Sequence, residues 1–134
     1  MARAVCLVRC VAGDGLVVFS WNIPSANGGV ISHHQVDQRP MAGGSWVSTV
    51  VSSGGSITIS ELVNGTAYQF RVRAVNAINQ PGNYSSIVTA TPFGIPGAPS
   101  SLTANAGDGQ VMISWNAPSE TGGGITNYDI EYWT

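Results

Sequence analysis

The fold is decided by the stretch Asn64-Gly65-Thr66-Ala67-Tyr68-Gln69-Phe70-Arg71-Val72-Arg73-Ala74-Val75-Asn76. After a turn made by Asn64 and Gly65, apolar and polar side chains alternate. One face carries Tyr68, Phe70, Val72 and Ala74, and the other carries Gln69, Arg71 and Arg73. This period of two predicts a strand with one buried side. The stretch is therefore expected to be a central strand of a two-layer β domain.

Composition indicates what kind of surface covers that domain. Charged residues make up 9% of the 134 residues, against about 25% in an average globular protein. Glycine is frequent, at 17 residues. The surface must then consist mainly of Ser, Thr, Asn, Gln and Gly, which suits an extracellular or cell-surface β protein. The length fits one domain with residues to spare, because domains most often contain about 100–150 residues.

Charge and hydropathy argue against two classes of function. The net charge is −2 and basic residues do not cluster along the sequence, so no basic field favours nucleic acid. No apolar run approaches the ~18 residues of a membrane span. The apolar run after Arg3 is too short for a secretory signal, whose apolar core needs about 7–15 residues.

An internal repeat divides the chain. An offset of 94 residues aligns residues 12–39 with residues 106–133, and 13 of these 28 pairs are identical, including Trp21 with Trp115. A period this long exceeds the 20–50 residues of solenoid units, so one full repeat is expected to correspond to a complete domain. The sequence predicts a domain over residues 1–92, a Pro/Gly linker over 93–97 and a truncated second copy over 98–134.

Turn residues separate seven short strands in the first copy, and helical periodicity is absent from the sequence. The predicted strands lie within residues 3–11 and over residues 16–23, 31–39, 45–51, 57–59, 68–76 and 85–91. Such a pattern predicts an all-β, antiparallel sandwich. The first strand is atypical, because residues 3–11 lack the Pro and the Ser-Leu-Thr pattern that open the second copy.

These motifs together resemble the fibronectin type III family, in its Gly- and Thr-rich bacterial form. The resemblance rests on Trp21 in the second strand, the corner from Leu62 to Tyr68, and a repeat near 94 residues. It implies a seven-stranded immunoglobulin-like sandwich with a tyrosine corner. The structural core is then expected to include Trp21, Leu62, Tyr68, Phe70 and Trp115. It further implies a non-catalytic module without cofactors, found in tandem in extracellular proteins.

The histidines, Asp37 and the two cysteines are the candidates for chemical function in this sequence. His33, His34 and Asp37 suggest a metal or a catalytic base, but adjacent strand residues point to opposite faces. We therefore expect no catalytic or metal residues. Cys6 and Cys10 stand four residues apart, ~13 Å along a strand, beyond the ~4.4–6.8 Å between Cα atoms of a disulfide. They are predicted to be free thiols.

Contact residues are expected in the loops at one end of the sandwich, over residues 25–29 and 77–84, because loops on a rigid scaffold commonly bind. The candidates are Asn27, Ile78, Asn79 and Tyr84.

Two functions stay open. One is a structural spacer or protein-interaction module that contacts other domains of its own polypeptide. The other is an adhesion or carbohydrate-binding module of a secreted polysaccharide-degrading enzyme, for which exposed aromatic residues would be needed near Trp46.

The second copy is expected to end after its third strand, near Trp133. It would then lack counterparts of Tyr68 and Phe70, and Trp115 and Tyr128 would have only each other across an open face. Fewer than ~40 residues rarely build a core alone. We expect residues 98–134 to be disordered or to pair with another chain.

Overall fold

A computed structural model describes residues 7–23 and 30–134 of the chain. These residues contain no helix, and hence none that is long and apolar enough to cross a membrane. Nine strands follow one another: β1 (Val8–Gly13), β2 (Leu16–Trp21), β3 (Ile31–Pro40), β4 (Val47–Val51), β5 (Ser56–Ile59), β6 (Tyr68–Asn76), β7 (Val88–Ala90), β8 (Ser100–Gly107) and β9 (Gln110–Asn116). Cys6 and Asn27 lie outside the described residues.

The first seven strands form two antiparallel sheets. One sheet has the order β1-β2-β5 and the other the order β4-β3-β6-β7. This arrangement confirms the predicted seven-stranded immunoglobulin-like sandwich. The alternating stretch over residues 64–76 supplies β6, which is central in the larger sheet and pairs with β3 over nearly its whole length.

The core lies between the two sheets and consists of the alternating apolar side chains of β2, β3 and β6. Phe19 and Phe70 are fully buried, and their rings stack with centroids 5.7 Å apart. Trp21 is 6% exposed and its ring centroid lies 5.6 Å from that of Phe19. Leu62 is partly buried against this cluster.

The corner before β6 forms through Tyr68. The backbone N–H of Val63 donates to the Tyr68 hydroxyl oxygen at 3.0 Å, which is the geometry of a tyrosine corner. Asn64 joins this corner to the opposite hairpin, because the N–H of Gly15 donates to its Oδ1 at 2.8 Å. The turn at Asp14 and Gly15 is held in addition by a bond from Asn64 Nδ2 to Asp14 Oδ1 at 2.9 Å.

Several predicted strands have different bounds in the structure. The strand expected over residues 85–91 is shortened to Val88–Ala90. Ser85 still holds the chain to β6: its N–H donates to the Val72 carbonyl at 2.7 Å, and its Oγ accepts from the Val72 N–H at 3.1 Å. A side-chain hydroxyl therefore replaces one backbone acceptor. The strand expected over residues 45–51 begins at Val47, after Trp46.

The atypical first strand does form. β1 pairs with β2 in six consecutive register positions, from Val8 opposite Trp21 to Gly13 opposite Leu16. Cys10 is a half-buried free thiol on this strand, and burial raises its pKa to about 11. Because the thiolate is the reactive species, this thiol should react slowly at neutral pH.

The second copy has more order than the sequence suggests. β8 and β9 pair as an antiparallel hairpin around Gly107 and Gln110, which needs only local contacts. Residues 117–134, all described, contain no strand, whereas the aligned residues of the first copy form β3, which pairs with β4 and β6. Trp115 is half-buried against Tyr128 with ring centroids 5.2 Å apart, while Trp133 is 90% exposed.

Candidate functional site

The outer face of the four-stranded sheet carries the most organised group of polar side chains among the described residues. It results from the register between β3 and β6, in which Asp37 lies opposite Arg71 and Gln35 lies opposite Arg73. The intervening residues point inward. The alternation that builds the core therefore also places these charged residues on one surface.

An ion pair lies at the centre of this face. Arg71 Nε donates to Asp37 Oδ2 at 2.9 Å, and Asp37 is only 1% exposed. Ser48 Oγ donates to Asp37 Oδ1 at 2.7 Å, and Gln35 Nε2 donates to the same oxygen at 3.1 Å. Burial by itself would raise the pKa of Asp37. The hydrogen bonds from Ser48, Gln35 and Arg71, with the nearby Tyr84 hydroxyl, outweigh burial and hold the pKa below its ordinary value.

Guanidinium groups and aromatic rings contact one another in succession across this face. The guanidinium carbons of Arg39 and Arg71 lie 4.2 and 4.1 Å from the Trp46 ring centroid. Those of Arg71 and Arg73 lie 3.8 and 4.5 Å from the Tyr84 ring centroid. We call these five residues the cationic ladder. All four contacts are within the ~6 Å range of cation–π interactions.

Glutamine side chains hold the outer members of the cationic ladder. Arg39 Nε donates to Gln69 Oε1 at 2.9 Å. Arg73 donates to Gln35 Oε1 through Nε at 3.3 Å and through Nη2 at 3.0 Å. The side chains of the ladder are therefore already ordered before any partner arrives.

The cationic ladder concentrates the positive charge of the chain. Three of the five basic residues of the chain belong to it. The acidic residue Asp37 contacts it through the ion pair with Arg71. Among the described residues, the remaining basic side chain is Arg9 on β1, in the other sheet. Although the net charge of the chain is −2, the described residues thus form a compact positive surface on this sheet.

The predicted contact residues are divided between two places. Ile78 is 73% exposed in the loop after β6, next to Asn79, whose φ of 62° lies in the left-handed region. Asn76 shapes this loop, since its Oδ1 accepts from the N–H groups of Ile78 and Gln80 at 3.1 and 2.9 Å. Tyr84 belongs instead to the cationic ladder.

The structure does not bring His33, His34 and Asp37 together into one site. These residues had suggested a metal or a catalytic base. His33 is half-buried and its Nδ1 lies 3.1 Å from Ser32 Oγ. His34 is 3% exposed on the core side, whereas Asp37 is in the outer-face ion pair. Within residues 7–23 and 30–134, no three His, Cys, Asp or Glu side chains come together in a way that could hold a metal ion.

His34 packs on Trp21 inside the sandwich, with ring centroids 5.3 Å apart. His34 Nε2 and Trp21 Nε1 are both buried and have no hydrogen-bond partner among the described residues. Burial, with the charge of His33 as a second cause, lowers the pKa of His34. The equivalent pair in the second copy is Trp115 with Tyr128, at nearly the same separation.

We expect His34 to make the first domain less stable in mild acid. In the unfolded chain His34 gains its proton near pH 6.5, and in the folded domain only at lower pH. Below pH 6.5 the unfolded state therefore binds more protons, and the free energy of unfolding falls. Urea unfolding at several pH values between 7.5 and 5 measures the slope of the free energy of unfolding against pH.

The substitution His34→Tyr copies the second repeat and removes the titrating group, so it should flatten the slope between pH 7.5 and 5. His33→Gln is the matched control, because it changes the neighbouring histidine and keeps the buried one. An equal slope in wild type and His34→Tyr would contradict this role of His34.

The cationic ladder was not predicted from the sequence. Alternation placed Arg71 and Arg73 on the polar face of β6, and exposed aromatic residues were sought near Trp46, but no local pattern connects the two. The missing step was the cross-strand register, which brings Arg39 on β3 and Trp46 before β4 next to β6. Alternation of basic residues on the non-core face of two paired strands is the signal that could have found it.

Comparisons with known proteins agree with this architecture. The model of the fibronectin type III domain matches residues 7–91. The chain is 26% identical over 132 residues to Tyrosine-protein phosphatase Lar of Drosophila melanogaster, covering 94% of this chain and 6% of that protein. It is 36% identical over 73 residues to cardiac-type Myosin-binding protein C of Rattus norvegicus, covering 53% of this chain and 6% of that protein.

A solved structure described as "Myokine structure" matches with a TM-score of 0.59 and 19% identity, covering 69% of this chain and 99% of that one. At this identity the likeness shows the fold alone. The chain spans only about 6% of the length of the two curated relatives above. Since the family model covers well over half of the chain and the sheets have the corresponding sandwich architecture, this protein belongs to the fibronectin type III family.

Proposed function

We propose that this chain is a non-catalytic spacer and protein-interaction module of a larger multidomain extracellular or cell-surface protein. The family supports a module role, because fibronectin type III domains are typically non-catalytic units of multidomain proteins. The low charge and the Ser-, Thr- and Gly-rich composition support an extracellular location. Its contacts would then be other domains of the same polypeptide and separate proteins.

The spacer role depends chiefly on one observation, the junction between the two copies. The N–H of Gly94 donates to the Gly122 carbonyl at 2.8 Å, and the N–H of Gly97 donates to the Glu120 carbonyl at 2.8 Å. The first domain also holds the linker, since the N–H of Phe93 donates to the Gly13 carbonyl at 3.0 Å. The linker therefore makes hydrogen bonds to the first domain and to the second copy. These bonds support a rigid connection between the two over a flexible one.

Glycines allow this close approach. A Cβ added to Gly122 would collide with the carbonyl oxygen of Gly94, and one added to Gly65 would come within 3.0 Å of Gly123. Gly122 also has a φ of +69°, where side chains other than glycine cost about 1–2 kcal/mol. A larger residue at position 122 should separate the two copies.

We expect β6 and β9 to tumble with one common correlation time in the wild-type chain, and Gly122→Val to give β9 a shorter one. Backbone ¹⁵N relaxation of the full chain measures both. Gly124→Val is the matched control, because Gly124 also has a positive φ but nothing lies within 4 Å of an added Cβ. Independent tumbling in the wild type would contradict a rigid spacer.

A second candidate is an adhesion or carbohydrate-binding module, favoured by the presence of Trp46 and Tyr84 on one surface. Each of these rings contacts two guanidinium groups, so neither is a bare platform for stacking on a neutral sugar. An acidic polysaccharide would suit such a surface better than a neutral one.

A further inference from the structure

We propose that the cationic ladder is a docking surface for an extended acidic protein segment whose carboxylates occupy alternate positions. This inference rests on the proposed role as a protein-interaction module and names the chemistry of the partner. It depends on three features of the ladder: the free ends of its guanidinium groups, their spacing, and the compactness of the positive charge.

The terminal Nη groups of two arginines are free because these arginines make their hydrogen bonds through Nε. Arg39 and Arg71 use their Nε atoms for Gln69 and Asp37, and their terminal Nη groups make no hydrogen bond to another described residue. The Arg71 side chain is 23% exposed, so part of it remains accessible to a partner. A guanidinium end presents two parallel N–H groups, which match the two oxygens of a carboxylate.

The spacing matches an extended peptide. Arg71 and Arg73 are two residues apart on β6, which corresponds to ~7 Å at about 3.4 Å per residue. Alternate side chains of any extended segment have the same separation. Arg73 donates to Gln35 through Nε and Nη2 and has Nη1 left without a hydrogen bond to another described residue. Two carboxylates at positions i and i+2 can therefore meet Arg71 and Arg73, while Arg39 on the neighbouring strand offers a third contact.

The order of the cationic ladder reduces the entropic cost of binding. A free arginine side chain has ~2 kcal/mol of rotamer entropy, and immobilising such side chains weakens association. Here Trp46 and Tyr84 already restrain the guanidinium groups through cation–π contacts. Carboxylates would bind to donors that need little further ordering.

The compactness of the charge favours a protein segment over a long polyanion. Beyond the cationic ladder, the described residues offer only Arg9 as a further basic side chain, and it lies on β1 in the other sheet. No basic track leads away from the ladder within the part of the chain that the structure describes. Nucleic acid and long polysaccharides gain affinity from many such contacts in a row.

A titration of the full chain tests this inference by NMR. The probe is a decapeptide of alternating glutamate and threonine, and the matched control peptide has glutamine in place of glutamate. We expect the Trp46 indole N–H and the arginine Nε–H signals to shift saturably with the acidic peptide only. Raising the salt concentration from about 20 mM to about 300 mM should weaken binding, because exposed charges are screened.

Variants assign the binding to the cationic ladder. Arg39→Gln combined with Arg73→Gln should raise the dissociation constant about tenfold, as expected for the loss of two exposed charge pairs. Arg71 is left intact because it neutralises buried Asp37. Arg9→Gln is the matched control and should change nothing. Amide spectra and unfolding curves verify that the double variant keeps its fold.

Three results would overturn the proposal. They are the absence of shifts at millimolar acidic peptide, equal shifts with the glutamine peptide, and an undiminished affinity in the double variant. A heparin-derived tetrasaccharide forms the third arm of the titration. If it binds through Arg39 and Arg73 while the acidic peptide does not, the ladder recognises an acidic polysaccharide instead. None of these outcomes affects the junction measured by relaxation, so the spacer role is tested separately.

Discussion

Trp21→Ala is expected to lower the free energy of unfolding of the first domain by about 3–5 kcal/mol, the range for truncating a buried aromatic residue. Trp21 is 6% exposed and contacts both Phe19 and His34, so its removal leaves a cavity between the sheets. Domains of this size have only about 5–15 kcal/mol in total. The variant should therefore lose a large fraction of the stability of the first domain.

Urea unfolding followed by circular dichroism measures the loss, since a fluorescence probe would change with the substitution itself. Trp133→Ala is the matched control: it removes the same side chain from a position that is 90% exposed and should change stability by less than about 0.5 kcal/mol. A similar loss in the two variants would mean that Trp21 does not pack between the sheets.

Arg71→Met is expected to cost about 3 kcal/mol, although the substituted residue lies on the outer face. It leaves Asp37 buried without its counter-charge, and breaking a fully buried pair costs about 3–5 kcal/mol. We place the effect at the lower end because the Arg71 side chain is 23% exposed. The variant also removes the guanidinium that contacts both Trp46 and Tyr84.

Arg39→Met is the matched control for the stability loss expected from Arg71→Met. It too removes a guanidinium from Trp46, but no carboxylate depends on it, so we expect a loss below about 1 kcal/mol. The double variant Arg71→Met with Asp37→Asn should recover part of the stability, because the buried charge disappears. Equal losses from Arg71→Met and Arg39→Met would show that the ion pair contributes no more than an exposed one.

The pH dependence of the Arg71→Met effect provides a further check. The pKa of Asp37 is lower in the folded domain than its ordinary value of 3.8, so its contribution is complete above that value. The contribution is lost as the pH falls through the folded-state pKa. The difference between wild type and Arg71→Met should therefore shrink in acid, as measured by urea unfolding across that range.

Much of the sandwich was predictable because its signals are local. Alternation over β2 and β6 assigns Trp21 and Phe70 to the inner face, and the structure buries both. The turn residues Asn64 and Gly65 and the hydroxyl of Tyr68 form the corner within a few residues of one another. Each of these features depends on the backbone period of two or on short-range hydrogen bonds, both of which are visible in a single stretch.

The junction and the second copy were less predictable. The sequence shows a Pro/Gly linker after Pro92, but not that Gly94 bonds to Gly122. Likewise, the turn between β8 and β9 is evident from its repeat of the first copy, whereas the T-shaped contact of Trp115 with Tyr128 depends on how the chain folds back. These contacts join residues about 13 to 28 positions apart, which no local pattern specifies.

The all-β class, the family resemblance and the inward face of each main strand follow from the sequence alone, because burial and alternation are coupled at every second residue. Where the positive charge gathers depends on the tertiary structure. Arg39, Trp46, Arg71 and Tyr84 come from four separate parts of the chain, and their contacts depend on the register of β3 against both β4 and β6. A shift of that register by one residue would turn core side chains toward solvent, so burial of one face strongly favours the register that brings the members of the cationic ladder together.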